Sequence, residues 1–459
     1  MARTLREGTS KGCEGKLKYA FFVFSDINLG AAYVISYLKS QGHEVRLFFD
    51  PCQYKRSYAK NSILSHVLSI TNYQVAKCRA YKPEVALFSC VTATFQDALA
   101  AAKKIKEATR AKIIFGGTHP TLVPEEVRKH PFIDDVCVGN GIEYFGGKFE
   151  PDKLFPDREI FLKELPPEHR RTQIFMTSFG CPFNCSFCGN EQMRSVGQFK
   201  LLRRSVEGCI AELLEMERSG ARHILFVDDI FTSDKKFLIP FLKEYKERIG
   251  LGFSCFGHAK FLDEEVVSAL KDAGCEMVWF GIQNGLEQLR KEILNRLETT
   301  DEIIKAAKLV KTYKMKLMID HIFGIPFETN ISSDISYNVY RECAPDVVNC
   351  YNLLYFPKSK IIEHALRAGF LKPSDVQKIN EGKYFNYQLG EKRQTMVETY
   401  YKAYICIPLN NIIFELLPDI IIKLIVHLRA GRGFILRVVI ENEIYFTVKA
   451  ILKKWRLYG

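Results

Sequence analysis

A chain of 459 residues allows roughly two to four domains. Its 47% hydrophobic and 26% charged residues are those of an ordinary folded soluble protein, with no low-complexity tract and no internal repeat. The net charge of +12 is uneven: residues 1–18 hold five basic and two acidic residues, and residues 421–459 eight basic and two acidic. The body between these ends is nearly balanced, which argues against a general nucleic-acid surface there. The basic start MARTLREGTSKGCEGKLK has no apolar stretch, so a secretory leader is not expected. Fourteen cysteines are many, but Cys52, Cys78, Cys137, Cys209, Cys255 and Cys406 stand singly. They read as small buried apolar residues of a reducing, cytoplasmic protein.

In chain order, residues 18–24 (KYAFFVF) form an apolar run of strand length. In the next segment Ala31, Val34, Ile35 and Leu38 recur at helical spacing, and Gly42 is a plausible stop. Residues 45–49, 85–90, 112–115 and 135–138 read as further strands, the second and third of these separated by an evident helix within TATFQDALAAAKKIKEATR. Strands alternating with helices predict a doubly wound parallel sheet over residues 17–150, of flavodoxin or Rossmann type. Ligands on such sheets sit at the carboxyl ends of the strands. Those ends carry Gly30, Ser89, Thr92, Thr94, Gly116, Gly117, Thr118, His119, Gly139 and Gly141.

Residues 151–172 hold four prolines and many charges and read as a linker. A second β/α series follows over residues 173–375, with strands at 173–178, 223–227, 253–257, 277–281, 316–323 and 347–355. Six such units suit a partial (β/α)6 barrel of TIM type. Residues 376–459 are expected to be mainly helical. The uncharged run at 403–414 is twelve residues, too short to span a membrane, which takes about 20. Near the end, Ile444, Val448, Ile451 and Trp455 share a helical face, with Lys449, Lys453, Lys454 and Arg456 elsewhere. Two readings stand: a helix packed on the body, or peripheral contact with a membrane.

The chemistry concentrates in SFGCPFNCSFCGN, residues 178–190. Cys181, Cys185 and Cys188 are spaced C-x3-C-x2-C just after a strand. Soft thiolates suit iron–sulfur clusters. Structural zinc needs four ligands, and the next cysteine, Cys209, is far away inside a predicted helix.

This segment resembles the radical S-adenosylmethionine (SAM) superfamily. The resemblance implies a 4Fe–4S cluster on the three cysteines, with one iron open to SAM. It implies reductive cleavage of SAM to a 5′-deoxyadenosyl radical, with electrons from a donor such as flavodoxin or ferredoxin. Phe187 matches the family's aromatic residue beside the adenine. FVDDIF (226–231) resembles the second-strand segment and offers Asp228. VWFGIQNG (278–285) resembles the fourth-strand motif and offers Gly281 and Gln283. His258 stands where related enzymes often place an arginine. FGIPFET (323–329) and YFPKSKIIEHA (355–365) are similar to two further motifs, but Phe327 and Lys358 stand in place of glycines.

Residues 17–145 resemble the cobalamin-binding domain that precedes many such barrels, most specifically in FGGTHPTLVPEEV (115–127). This implies cobalamin bound by the strand-end residues named above. The D-x-H-x-x-G motif is absent, so His119 is expected to be structural rather than a cobalt ligand, although it lies in the binding segment. The expected function is C-methylation of an unactivated carbon on a small-molecule or lipid substrate. The alternatives are radical oxidation, cyclisation or rearrangement without methyl transfer, as in the magnesium-protoporphyrin ester cyclases, and a non-enzymatic cobalamin or redox sensor. A methylthiotransferase would use Cys13, Cys52 and Cys90 as a further trio, but their contexts do not match that family.

Overall fold

The computed structural model describes residues 15–24, 27–49, 70–165, 167–195 and 201–383. The expected helices beyond 383, Cys13, Cys52 and Cys406 lie outside the described residues.

The first sheet has five parallel strands: β1 (Lys18–Val23), β2 (Glu44–Phe49), β3 (Val85–Ser89), β4 (Lys112–Gly116) and β5 (Asp135–Val136), in the order β2-β1-β3-β4-β5. This is the flavodoxin-like order, with the strand direction of travel reversing beside β1 and β3. The strands are buried on both faces, as a parallel sheet requires. On one face the register places Phe22 between Phe48 and Phe88, and Phe88 beside Phe115. Their rings stack at 4.8, 4.5 and 5.0 Å, a ladder across four strands. The helix Leu29–Ser40 starts where Asn28 accepts from the Ala31 amide at 2.9 Å, and it stops before Gly42 at φ +84°. A helix at Ile70–Tyr81 has no counterpart in the sequence reading; Val75, Cys78 and Tyr81 recur along one face and pack on the core.

The second sheet has six parallel strands: β6 (Thr172–Phe175), β9 (His223–Phe226), β10 (Gly252–Phe256), β11 (Cys275–Gln283), β12 (Lys316–Phe323) and β13 (Val347–Asn352). They run in simple sequence order from β6 to β13, with no pairing of those two edges, so the barrel is partial. Between β6 and β9 lies a short antiparallel pair, β7 (Ser178–Phe179) with β8 (Leu202–Arg203). The sequence reading ran β6 through to 178; the chain instead turns at Met176–Thr177 to make this pair. Alternate residues split the sheet cleanly. Phe226, Phe253, Cys255, Val278, Phe280, Leu317 and Ile319 pack outward under the helices. Met277, Trp279, Met318 and Asp320 alternate with them and therefore face inward.

The 151–172 stretch is packed rather than loose. Phe161 is fully buried against Phe49 of β2. Arg158 and Arg204 share the buried carboxylate of Glu212, and Arg204 also reaches Asp152 at 2.9 Å. Tyr33, from the first sheet's helix, meets Phe149 and Phe179 edge-on at 5.1 and 5.9 Å. Phe179 immediately precedes Gly180 and Cys181, so this aromatic contact ties the first sheet to the cysteine segment.

Candidate functional site

A cavity of about 670 Å³ lies where the carboxyl edge of the first sheet faces the barrel. From the sheet side it is lined by Gly30, Ser89, Gly116, Gly117, Thr118, Gly139 and Gly141, together with Asn28 and Asn140. From the barrel side come Met176, Phe179, Met193, Leu201 and Leu202, all apolar. Two glycines are required by close approach. A Cβ on Gly117, at φ +101°, would stand 2.5 Å from the Cys90 carbonyl oxygen, and one on Gly141 2.6 Å from Val34.

Three residues named with this group lie elsewhere. Thr92, Thr94 and His119 are buried and outside the lining. Thr94 closes a turn on Val91. His119 Nδ1 lies 3.1 Å from the Thr92 hydroxyl, and its ring packs 4.2 Å from that of Phe95. Burial pushes this imidazole down to about 4, so it is neutral at physiological pH. His119 is placed as a packing residue.

The second centre is the loop after β7. Gly180 turns it at φ +87°, and the Cys188 amide donates to the Cys185 carbonyl at 3.1 Å. The loop is braced from the segment after β11. The Ser186 amide donates to the Leu294 carbonyl at 3.0 Å, the Ser186 hydroxyl to the Ile293 carbonyl, and Asn295 to the Asn184 carbonyl at 2.8 Å. Arg194 donates to the Phe183 carbonyl and the Asn184 side chain. Cys181, Cys185 and Cys188 are half-buried free thiols. Burial pushes Cys181 and Cys188 up to about 11. The same effect raises Cys185, with the Arg296 guanidinium opposing it.

Among the described residues no three His, Cys, Asp or Glu side chains converge on a single ion. Three thiolates that each hold a different corner of a four-iron cube need not converge so tightly, and the donor set lacks the fourth ligand that zinc would take. The donors fit a cluster with one open iron.

Around this loop the side chains form one connected group. The His258 ring stacks on Phe183 at 4.6 Å, and its Nε2 lies 3.7 Å from Glu298. Burial, with Arg296 adding to it, pushes His258 down to about 4. Glu298 accepts from Arg296 Nε at 2.5 Å; Arg296 Nη2 donates to the Gly281 carbonyl at 2.8 Å, and the guanidinium also bonds to Cys185. His258 is thus neutral and engaged with Glu298, and Arg296 stands beside the cysteines.

Gln283 has φ +71° and is nearly buried. Its Nε2 occupies the space that a Cβ on Gly281 would fill, 1.9 Å from that position, and its Oε1 has no hydrogen-bond partner. Phe187 packs half-buried against the cluster of Leu289, Leu294 and Ile361.

Asp228 is placed differently from the sequence reading. Its carboxylate accepts from the Thr177 amide, the Thr177 hydroxyl and the Ser178 hydroxyl, the last two at 2.6 Å. It is fully buried and pins the end of β9 to the β6–β7 turn. Its neighbour Asp229 accepts from Asn190 at 2.7 Å and acts electrostatically on Cys181 and Cys188. Asp320, directly across from Gly281 in the register, accepts from Asn349 at 3.4 Å on the inner face. The sequence reading does not single out Arg296, Glu298 or Asp320, and takes Asp229 only as one of the adjacent carboxylates of FVDDIF.

Comparison with known proteins fits both centres. Residues 175–332 match the model of the radical SAM superfamily, and residues 24–146 that of the B12 binding domain. The chain is a radical SAM protein with a B12-binding domain. A 4Fe–4S cluster, SAM and cobalamin are therefore its cofactors. An uncharacterised methyltransferase of Pyrococcus horikoshii is 25% identical over 386 residues, 75% of this chain and 79% of that protein. The anaerobic magnesium-protoporphyrin IX monomethyl ester cyclase of Rubrivivax gelatinosus is 23% identical, over 72% of this chain and 65% of that one. Among solved structures, the radical SAM methyltransferase TsrM of Kitasatospora setae, with cobalamin and a [4Fe–4S] cluster bound, superposes with a TM-score of 0.58. It is 14% identical and covers 78% of this chain and 79% of that one, a likeness of fold. No helix among the described residues is long and apolar enough to cross a membrane.

Proposed function

We propose that this radical SAM enzyme methylates an unactivated carbon of a small-molecule substrate, with cluster and cobalamin held at the two centres described. The observation that carries the proposal is their arrangement: an apolar-floored cavity on the B12-binding sheet shares Phe179 with the turn into Cys181. When bound, the cluster supplies the electron that splits SAM, and cobalamin supplies a methyl carrier.

The chain's own residues do the rest. Cys181, Cys185 and Cys188 ligate three irons, and the braces from Ile293–Asn295 fix their spacing. Arg296, buried and charged, would take the carboxylate of SAM; Glu298 holds that guanidinium in place, with His258 beside Glu298. Gln283 presents its free Oε1 to the amino or ribose groups of SAM, and Gly281 leaves room for the amide. Phe187, half-buried against Leu289 and Leu294, would offer its ring to the adenine. Gly116, Gly117, Gly139 and Gly141 let backbone amides approach the corrinoid closely, while Met176, Phe179 and Leu202 exclude water from the barrel side. Electrons come from a flavodoxin or ferredoxin.

A second reading, oxidation or cyclisation without methyl transfer, is supported by the similarity to the Rubrivivax cyclase. One experiment separates them. The protein is reconstituted anaerobically with iron, sulfide and cobalamin, reduced, and given SAM. Methyl transfer predicts about one S-adenosylhomocysteine per cobalamin, besides 5′-deoxyadenosine. 5′-Deoxyadenosine alone favours the second reading. Neither product would refute both.

A further inference from the structure

We infer that the loops after β11, β12 and β13 form a docking rim for the apolar body of an acidic, lipid-like substrate. The inference rests on the proposed function and adds the substrate class to it.

Six large apolar side chains are exposed among the described residues. One, Leu201, lines the cavity; the other five are Leu297, Phe327, Ile331, Tyr351 and Leu354. Leu297 follows β11, Phe327 and Ile331 follow β12, and Tyr351 and Leu354 lie at the end of β13. The strands are parallel, so these residues gather at the carboxyl edge of the sheet, the edge that also carries the cysteine loop. Single exposed apolar residues are ordinary, but a cluster at one mouth is not.

Two backbone positions strengthen the case. Phe327 has φ +66°, in the left-handed region that disfavours a bulky side chain, and the residue is 48% exposed. The fold therefore bears strain and still leaves about half of this apolar residue in water. Lys358 repeats the pattern in the loop after β13: φ +63°, exposed, and in no ion pair among the described residues. Both stand where the resembling motifs have glycine, the residue that would adopt this backbone freely. Strained, exposed side chains retained beside a reaction centre point to contact with something that binds there. An aromatic and aliphatic rim with a cation unpaired among the described residues complements an apolar body that carries an acidic group.

The test uses 1-anilinonaphthalene-8-sulfonate, an apolar ring system bearing a sulfonate, and the neutral N-phenyl-1-naphthylamine. Both are titrated into the reconstituted full chain. Phe327→Gly should weaken both probes at least threefold, and Lys358→Gly the sulfonate only. Each variant should also raise Tm, by about 2–4 °C for strain on the order of 1 kcal/mol relieved. Lower Tm in the glycine variants would mean that the side chains hold the fold, and would overturn the inference. So would unchanged probe binding, or loss of binding to phosphatidylglycerol vesicles with the monomeric probes unaffected, which would assign the rim to a membrane surface. Neither probe binding nor Tm reports on SAM cleavage, so this inference and the proposed function fail separately.

Discussion

Replacing Gly117 by alanine tests the link between the strand-end glycines and cobalamin. Gly117 has φ +101° and ψ −169°, a region open essentially to glycine alone. Forcing a Cβ there costs on the order of 1–3 kcal/mol in backbone strain. The Cβ would also stand 2.5 Å from the Cys90 carbonyl oxygen and 3.0 Å from its nitrogen. These are backbone atoms of a buried strand end, so relief requires β3 and β4 to separate. Overpacking of that kind adds about 1–3 kcal/mol. At about 2–4 °C per kcal/mol, Tm should fall by roughly 4–24 °C. Gly146→Ala is the control: φ is +86°, but nothing lies within 4 Å of its Cβ, so only a strain of about 1–2 kcal/mol applies. The assay is calorimetry of the apo-protein, then gel filtration after loading with hydroxocobalamin. Gly117→Ala should retain much less corrinoid than Gly146→Ala. Equal stability and equal retention in the two variants would refute the reasoning.

Gly281→Ala would drive its methyl into the Gln283 amide, and SAM should bind about tenfold more weakly, close to 1.4 kcal/mol, by equilibrium dialysis; unchanged affinity would remove Gln283 from the SAM site. Glu212→Ala leaves Arg158 and Arg204 buried without their shared carboxylate, and urea unfolding should show a loss of about 3–5 kcal/mol. A loss under 1 kcal/mol would mean that water reaches the arginines. His119 and His321 are buried and pushed down to about 4 and about 3. An unfolded histidine takes up its proton near pH 6.5, while the folded ones stay neutral to much lower pH, so acidification favours the unfolded state. Between pH 7 and pH 5 each should cost about 2 kcal/mol of stability; a flat urea midpoint over that range would contradict their neutral burial.

The fold was legible because both sheets announce themselves by apolar runs separated by glycine-punctuated helices. The Cys181 loop was legible because its spacing is local. What stayed hidden depends on contacts between distant segments. Nothing in a run of residues says that Asp228 and Asp229 have different duties. One is held by Thr177 and Ser178 and the other by Asn190, and only the fold brings those partners together. The same holds for Arg296, buried beside Cys185 although it lies more than a hundred residues on. The 151–172 stretch misled through its prolines and charges. Two of those charges, Arg158 and Asp152, join the buried Glu212–Arg204 network, where composition alone would put them in water. Thr92, Thr94 and His119 follow strand ends in sequence, yet they turn inward where Phe95 offers packing.

The central claim is that Cys181, Cys185 and Cys188 hold the cluster that splits SAM. The most direct test is anaerobic reconstitution of Cys185→Ala beside the wild type, with iron, sulfide and the product 5′-deoxyadenosine measured on the same samples. The wild type should hold about four iron and four sulfide per chain and form 5′-deoxyadenosine on reduction. The variant should lose the cluster and form none. A variant that keeps a full cluster and still cleaves SAM would contradict the account.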